Sequence, residues 1–137
     1  MTELSDKELT GRIIAAAIAV HRALGPGFLE SIYEKALCVE LEANGIPYEC
    51  QKSLEILYRG KPVGEHRLDL FVAGCVVVEL KAVKALEDIF FATVRSYMKA
   101  VETDSGLLFN FASMPLTIKR VSREWKCVSD DAEFPAS

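Results

Sequence analysis

Long apolar runs and closely spaced cysteines are missing from this 137-residue sequence, and no secretory signal is visible in it. The longest apolar run, residues 13–20, has eight residues and is half alanine, whereas a membrane-spanning helix needs about 20 apolar residues. The first ten residues contain three acidic side chains and no apolar stretch, so we expect no export signal. These absences predict a cytoplasmic protein that does not associate with membranes.

The four cysteines are too scattered to form the close pairs of zinc knuckles or thioredoxin-like sites. No CxxC spacing occurs among them: they are Cys38, Cys50, Cys75 and Cys127. Because thiols stay reduced in the cytoplasm, we expect all four to be free.

Repeats, low-complexity tracts and Pro- or Ser-rich linkers are likewise absent. With 50% hydrophobic and 26% charged residues, a chain of this length can close one ordinary core. We therefore predict a single domain over residues 1–137, with its core at about residues 9–124 and an acidic C-terminal tail at residues 127–137.

The net charge of −4 argues at first against a nucleic-acid partner, but the charge is unevenly distributed. Residues 1–45 and 127–137 each carry −3, whereas residues 46–126 carry +2. Local patches, more than the global charge, decide contacts with phosphate. Most basic side chains, Arg59 and Lys61 among them, are interpreted as solvated surface. The basic residues that rate above this background are Lys84, Arg95, Lys119 and Arg120.

The hydrophobic spacing changes from helical to strand-like along the chain and back again. Helical spacing covers residues 9–24, about 28–43 and 86–101. Strand-like segments are residues 46–51, 54–58, 63–72, 75–81, 106–111 and 116–121. The order ααβββ(β)αββ predicts a mixed α/β domain with helices on both faces of a sheet.

The residues that suggest chemistry are Asp69, Glu79 and Lys81. Glu79 and Lys81 end an apolar strand and, with a strand period of two, point to the same face. If this strand and the preceding one form a hairpin, a three-residue loop at residues 73–75 places Asp69 opposite Glu79. Gly74 favours such a loop because it tolerates a positive φ.

Two carboxylates side by side repel each other unless one is protonated or a cation lies between them. Hard oxygens in that geometry suit Mg²⁺ or Mn²⁺, which also recruit water and phosphate oxygens. A lysine on the same face can hold or deprotonate an attacking water. The pattern therefore favours phosphodiester hydrolysis, with the alternative that Glu79 and Lys81 are a solvated pair at a strand end and Asp69 closes a turn.

Other polar and aromatic residues are interpreted as structural. Strand alternation places His66 on the face opposite Asp69, so it is expected to be a surface or structural histidine. His21 is expected to cap carbonyls at the end of its helix. The aromatic residues in apolar runs are expected to be core, namely Phe90, Phe91, Phe109 and Phe111.

Several motifs resemble a known family. An aspartate followed ten residues later by Glu-Leu-Lys at residues 79–81 resembles the PD-(D/E)XK nuclease superfamily signature. Residues 27–33 read Gly-Phe-Leu-Glu-Ser-Ile-Tyr and resemble the GxxExxY motif of a small bacterial and archaeal protein family. Further blocks similar to that family lie at residues 24–27, 106–111 and 118–120, so the resemblance spans about residues 9–124.

The resemblance implies a three-layer α/β/α restriction-endonuclease-like core with a mixed central sheet. It implies a divalent-metal-dependent nuclease that uses Mg²⁺ or Mn²⁺ and acts on nucleic acid, with DNA favoured over RNA. Asp69 and Glu79 would bind the metal and Lys81 would assist the water. Glu30, from the preceding helix, would complete the metal site, and Tyr33 shares its helix face as a possible accessory residue.

One position departs from the pattern of related nucleases. They carry a glutamine four residues before a tyrosine on the helix after ExK, whereas here Thr93 precedes Tyr97. A threonine hydroxyl is too short to reach a metal-bound water from that place, so either catalysis is weakened or Arg95 or Lys99 substitutes. The alternative function is a weak or inactive nuclease-fold module that binds nucleic acid or a protein. A homodimer is compatible with this sequence, but no motif specifies one.

Overall fold

The computed structural model describes residues 5–122, and there three helices flank a five-stranded sheet. The helices are α1 (Asp6–Leu24), α2 (Glu30–Ala43) and α3 (Asp88–Val101). The strands are β1 (Tyr48–Tyr58), β2 (Lys61–Val72), β3 (Val76–Lys81), β4 (Ser105–Asn110) and β5 (Thr117–Val121). The predicted acidic tail and Cys127 lie outside the described residues, whereas Cys38, Cys50 and Cys75 are free thiols.

The sheet is mixed and has the strand order β1-β2-β3-β4-β5. β3 and β4 are parallel, with α3 connecting them, and the other neighbouring strands are antiparallel. One core packs between the sheet and α1 and α2, and a second packs between the sheet and α3. The predicted three-layer α/β/α architecture is therefore confirmed.

Local sequence signals determine where α1 begins and ends. At its start the Ser5 hydroxyl accepts from the backbone N–H of Glu8 (3.1 Å), and the Glu8 carboxylate accepts from the N–H of Ser5 (3.0 Å). This reciprocal capping satisfies N–H groups that have no partner inside the helix. The helix ends at Gly25, whose φ of 71° suits glycine.

α3 packs directly onto the backbone of β4 at Gly106. A Cβ added at this glycine would lie 2.6 Å from the Met98 Sδ atom and 3.1 Å from a Val94 methyl carbon. The absence of a side chain thus allows α3 to approach the sheet closely.

β1 is one strand of eleven residues, so its prediction as two short strands was wrong. The polar residues Lys52 and Ser53, which lie between the two predicted strands, pair with Leu68 and Arg67 of β2. Polar side chains are tolerated there because β1 lies at the edge of the sheet. A kink does occur within the strand, at Gln51, where φ is 53°.

His21 does not cap its own helix as expected. It is buried, and its Nε2 lies 2.9 Å from the carbonyl oxygen of Ser113, in the connection between β4 and β5. The histidine therefore ties α1 to that connection. None of the helices described here combines the length and hydropathy that crossing a lipid bilayer requires.

Candidate active site

The site is built where β2 and β3 stop pairing. Their backbone ladder runs from Val72 and Val76, next to a three-residue loop at residues 73–75, to Leu70 and Val78. One step further along, Asp69 and Glu79 face each other across the gap between the strands. The loop has the predicted length, and Gly74 within it has a φ of 65°.

Side chains replace the backbone ladder at this point. The N–H of Asp69 donates to the Glu79 Oε2 atom (2.9 Å), and the N–H of Leu80 donates to the Asp69 Oδ2 atom (2.9 Å). Each carboxyl group is thus bound by the strand opposite its own. These contacts hold two acidic groups side by side at the opening between the strands, which we call the cleft.

Burial and mutual repulsion make both groups resist ionisation. Glu79 is only 6% exposed, and burial raises its pKa, with the neighbouring Asp69 charge as the next cause. Burial also raises the pKa of Asp69, and the charges of Glu34 and Glu30 raise it further. A carboxyl pair with raised pKa values binds either a shared proton or a cation.

The alternation of β2 reverses at Asp69. Leu68 packs with the core beside α3, whereas Leu70, two residues further on, packs with the core beside α1 and α2. The strict alternation used to place His66 therefore does not hold across this point. His66 is an exposed residue, as expected, but it lies on the α3 side, with its Nδ1 3.2 Å from the Tyr97 hydroxyl.

Glu34 and Gln51 are site neighbours that sequence reasoning missed. The Gln51 side-chain amide donates to both carboxylate oxygens of Glu34 (2.9 and 3.0 Å), and the Cys50 thiol donates to the same carboxylate (3.0 Å). These contacts hold the kink of β1 beside Asp69. No sequence signal pointed to Gln51, since its positive φ depends on this tertiary contact.

Glu30 reaches the end of β3 from the first turn of α2. Its Oε2 accepts from the N–H of Ala82 at 3.3 Å, directly after Lys81. Its charge also raises the pKa of Asp69. The structure therefore brings Glu30 to the border of the carboxyl pair.

Lys81 is positioned by an aromatic ring. Its Nζ lies 4.6 Å from the centre of the Phe90 ring, a cation–π contact. Its positive charge lowers the pKa values of both Asp69 and Glu79, against the effect of burial. Phe90 is thus only partly a core residue, since it also holds the lysine beside the cleft.

α3 contributes a tyrosine to this border. Tyr97 is buried, and burial, together with the charges of Glu79 and Asp69, raises its pKa to about 12. The Thr93 hydroxyl, one turn earlier, donates instead to the Ile89 carbonyl of its own helix (2.9 Å). Arg95 is half-buried and its charge interacts with that of Asp88.

Tyr33 does not reach the carboxyl pair. Its hydroxyl donates to the Gly25 carbonyl (2.6 Å) and accepts from the N–H of Phe28 (3.1 Å). Its ring is fully buried and stacks on Phe111 with centroids 4.6 Å apart. Tyr33 therefore anchors the loop before α2, and so fixes where Glu30 begins that helix.

Asn110 secures the segment that follows Lys81. It is buried, and its side chain bonds both backbone groups of Val83: it accepts from the N–H (3.1 Å) and donates to the carbonyl (2.9 Å). Lys81 and Asn110 are register partners on β3 and β4.

The carboxyl pair fits a small hard cation. Within residues 5–122, no three His, Cys, Asp or Glu side chains are gathered into a ready metal-binding cluster. Mg²⁺, however, is commonly bound through one or two carboxylates, with water and substrate phosphates completing its coordination. The donor chemistry of Asp69 and Glu79 matches that requirement, and a cation between them would relieve their repulsion.

A three-layer α/β/α fold that carries Asp69, Glu79 and Lys81, in this order along the chain, is typical of nuclease-like proteins. Comparison with known sequences leads to the same class. A profile of the PD-(D/E)XK nuclease superfamily matches residues 7–121. The chain therefore belongs to the PD-(D/E)XK nuclease superfamily. The narrower resemblance to the GxxExxY family stays a prediction.

A solved structure, described as the crystal structure of SSO0001, is similar to this chain with a TM-score of 0.55 and 17% sequence identity. The match covers 90% of this chain and 62% of that one, so the chain spans less than two thirds of its length. At this identity the likeness shows the fold alone. No curated protein matches the sequence.

Proposed function

We propose that the protein is a divalent-metal-dependent nuclease that hydrolyses phosphodiester bonds of nucleic acid. The observation that carries the proposal is the pairing of Asp69 and Glu79 across diverging strands, with Lys81 on the same strand as Glu79. Superfamily membership supports the reaction class. DNA is the favoured substrate over RNA.

Asp69 and Glu79 would hold Mg²⁺ or Mn²⁺, and Glu30 would supply a further oxygen from α2. A cation bound there supplies positive charge to the phosphate and so favours attack on phosphorus. Both carboxyl groups must be ionised first, because only carboxylates bind a hard cation well. The hydrogen bonds from the opposite strands keep both groups oriented for this role.

Lys81 would hold the attacking water at its Nζ atom. In hydrolysis the water oxygen bonds to phosphorus, the bond to the leaving alcohol breaks, and one water proton ends on that alcohol. Lys81 lies beside the pair, which suits it to orient the water and to offset the charge that develops on the phosphate. The Phe90 ring limits where the ammonium can move.

A second candidate function is binding of nucleic acid without turnover. The position of Thr93 favours it, because the hydroxyl is committed to the Ile89 carbonyl and offers no group to the cleft. An affinity for nucleic acid that rises steeply as the salt concentration is lowered, with no cleavage product in the presence of metal, would support this alternative.

The proposal is tested by calorimetric titration with Mn²⁺ and by cleavage of plasmid and single-stranded DNA with Mg²⁺. Wild type, Asp69→Asn and Lys81→Ala are compared, and Glu102→Gln, an exposed acid after α3, is the matched control. We expect Asp69→Asn to lose metal binding and cleavage, and Lys81→Ala to lose cleavage alone. Equal background cleavage in all four proteins would remove the catalytic claim.

A further inference from the structure

Within residues 5–122, no layer covers the end of the β1–β2 hairpin. Every residue from 55 to 65 is exposed, and we call this segment the ribbon. Two-stranded hairpins are only marginally stable alone in water. The ribbon also carries large apolar side chains that are 37% to 67% exposed, namely Ile56, Leu57, Tyr58 and Val63. Exposed apolar groups of this kind indicate a contact surface.

The charge of the ribbon tip has one sign. The tip is residues 56–64, which lie between Glu55 and Glu65, two residues that pair directly across the strands. Its nine residues contain two cations, Arg59 and Lys61, and no acid. The chain as a whole carries −4, so this tip is a basic point on an acidic protein. Its charge is complementary to a polyanion.

Arg59 occupies a turn position that does not suit arginine. Its φ is 53° and that of Gly60 is 78°, the two positive values of a tight hairpin turn. Such turns favour Asn-Gly at these positions, because asparagine tolerates a positive φ better than a long side chain does. An arginine held there against local preference indicates that its charge is used.

We propose that the ribbon is a duplex-DNA-binding arm, with Arg59 and Lys61 on phosphates and the apolar side chains against the groove; the inference rests on the proposed function. A two-stranded ribbon fits the major groove of B-DNA. The same strand, β2, carries Asp69 nine residues from Gly60, a reach of roughly 30 Å. A duplex held at the tip could therefore extend along β2 to the cleft.

The test is fluorescence anisotropy with a labelled duplex of about 30 base pairs, long enough to span arm and cleft, titrated in EDTA at several salt concentrations. The ribbon variant is Arg59→Asn/Lys61→Gln, which removes both charges and installs the favoured Asn-Gly turn, so the hairpin stays folded. The control is Lys7→Gln/Arg22→Gln, which removes two exposed cations of α1. Wild type and Asp69→Asn complete the set.

We expect the ribbon variant to bind about tenfold more weakly at low salt, with a salt slope shallower by about 2, as the loss of two phosphate contacts requires. The control should keep the wild-type slope. Equal slopes for wild type and ribbon variant would overturn the inference. So would capture of wild type by anionic vesicles, or a ribbon-dependent dimer, with no change in duplex binding.

The results expected if the nuclease proposal fails differ from those expected if the arm proposal fails. Because the titration is run without metal, ribbon-dependent binding by wild type and Asp69→Asn alike supports the arm whether or not the protein cleaves DNA. If cleavage depends on Asp69, and the ribbon variant changes neither cleavage nor duplex binding, the arm proposal is wrong and the nuclease proposal stands.

Discussion

Asp69 and Glu79 each accept a backbone N–H from the strand that carries the other, at the point where β2 and β3 separate. The hydrogen bonds orient the two carboxyl groups, but burial and repulsion disfavour ionisation of both. A folded protein accepts such a pair only at a cost in stability unless a proton or a cation joins them. The predictions below follow from this relationship.

The stability of the metal-free protein should fall as the pH rises. Both pKa values are raised above their ordinary values of about 4, so the folded chain holds more protons than the unfolded chain from there toward neutral pH. Stability then decreases with pH across that window. Thermal melts should show a Tm several degrees lower at about pH 8 than at about pH 5.

Glu79→Gln should flatten this pH dependence and raise the Tm at neutral pH, because an amide carries no charge to bury. The control Glu102→Gln should keep the wild-type slope. A wild-type Tm that rises with pH over the same window would contradict the account.

Lys81→Met should lower kcat/KM for cleavage by about 100-fold or more, the usual contribution of a positioned acid–base group. Methionine keeps an apolar stem against Phe90, so folding should be preserved. Mn²⁺ affinity should not fall, because the lysine repels a cation. Lys7→Met, at an exposed position in the first turn of α1, should behave as wild type, and equal losses in the two variants would argue against a specific role for Lys81.

Thr93→Gln should raise the cleavage rate by about tenfold, a typical effect of a supporting group next to a metal site. The glutamine side chain is long enough to leave its own helix and point toward the cleft one turn before Tyr97. Single-turnover kinetics with Mg²⁺ would measure the change, and Thr93→Val is the control. An unchanged rate would show that the missing glutamine is not what limits activity.

Asn110→Ala should destabilise the fold by about 2 kcal/mol, because two backbone groups of Val83 lose their partner. Cleavage measured well below the Tm should fall as well, since the segment after Lys81 is no longer fixed. Asn110→Asp keeps the acceptor for the Val83 N–H but not the donor for the Val83 carbonyl. We therefore expect its Tm in thermal unfolding, and its free energy of unfolding in denaturant, to lie between those of wild type and Asn110→Ala. Asn44→Ala, at an exposed helix end, should have a smaller effect.

The sequence predicted the layers and the carboxyl pair because both depend on local patterns. Period-two alternation and a glycine-containing loop were sufficient to place Asp69 opposite Glu79. Strict alternation fails at Asp69, where Leu68 and Leu70 pack on opposite faces of the sheet. The kink at Gln51 beside it depends on a contact with Glu34, which is distant in sequence. Charge counting ranked Arg59 with the ordinary surface, since only the fold shows that it lies in the turn of an exposed hairpin.

The central claim is that Asp69 and Glu79 jointly hold a divalent cation. Crystals soaked in Mn²⁺ and examined for anomalous scattering test it most directly. We predict one strong peak within about 2.1 Å of an oxygen atom from each residue, the distance typical of a small hard cation. A peak elsewhere on the protein, with none beside the two carboxyl groups, would contradict the account.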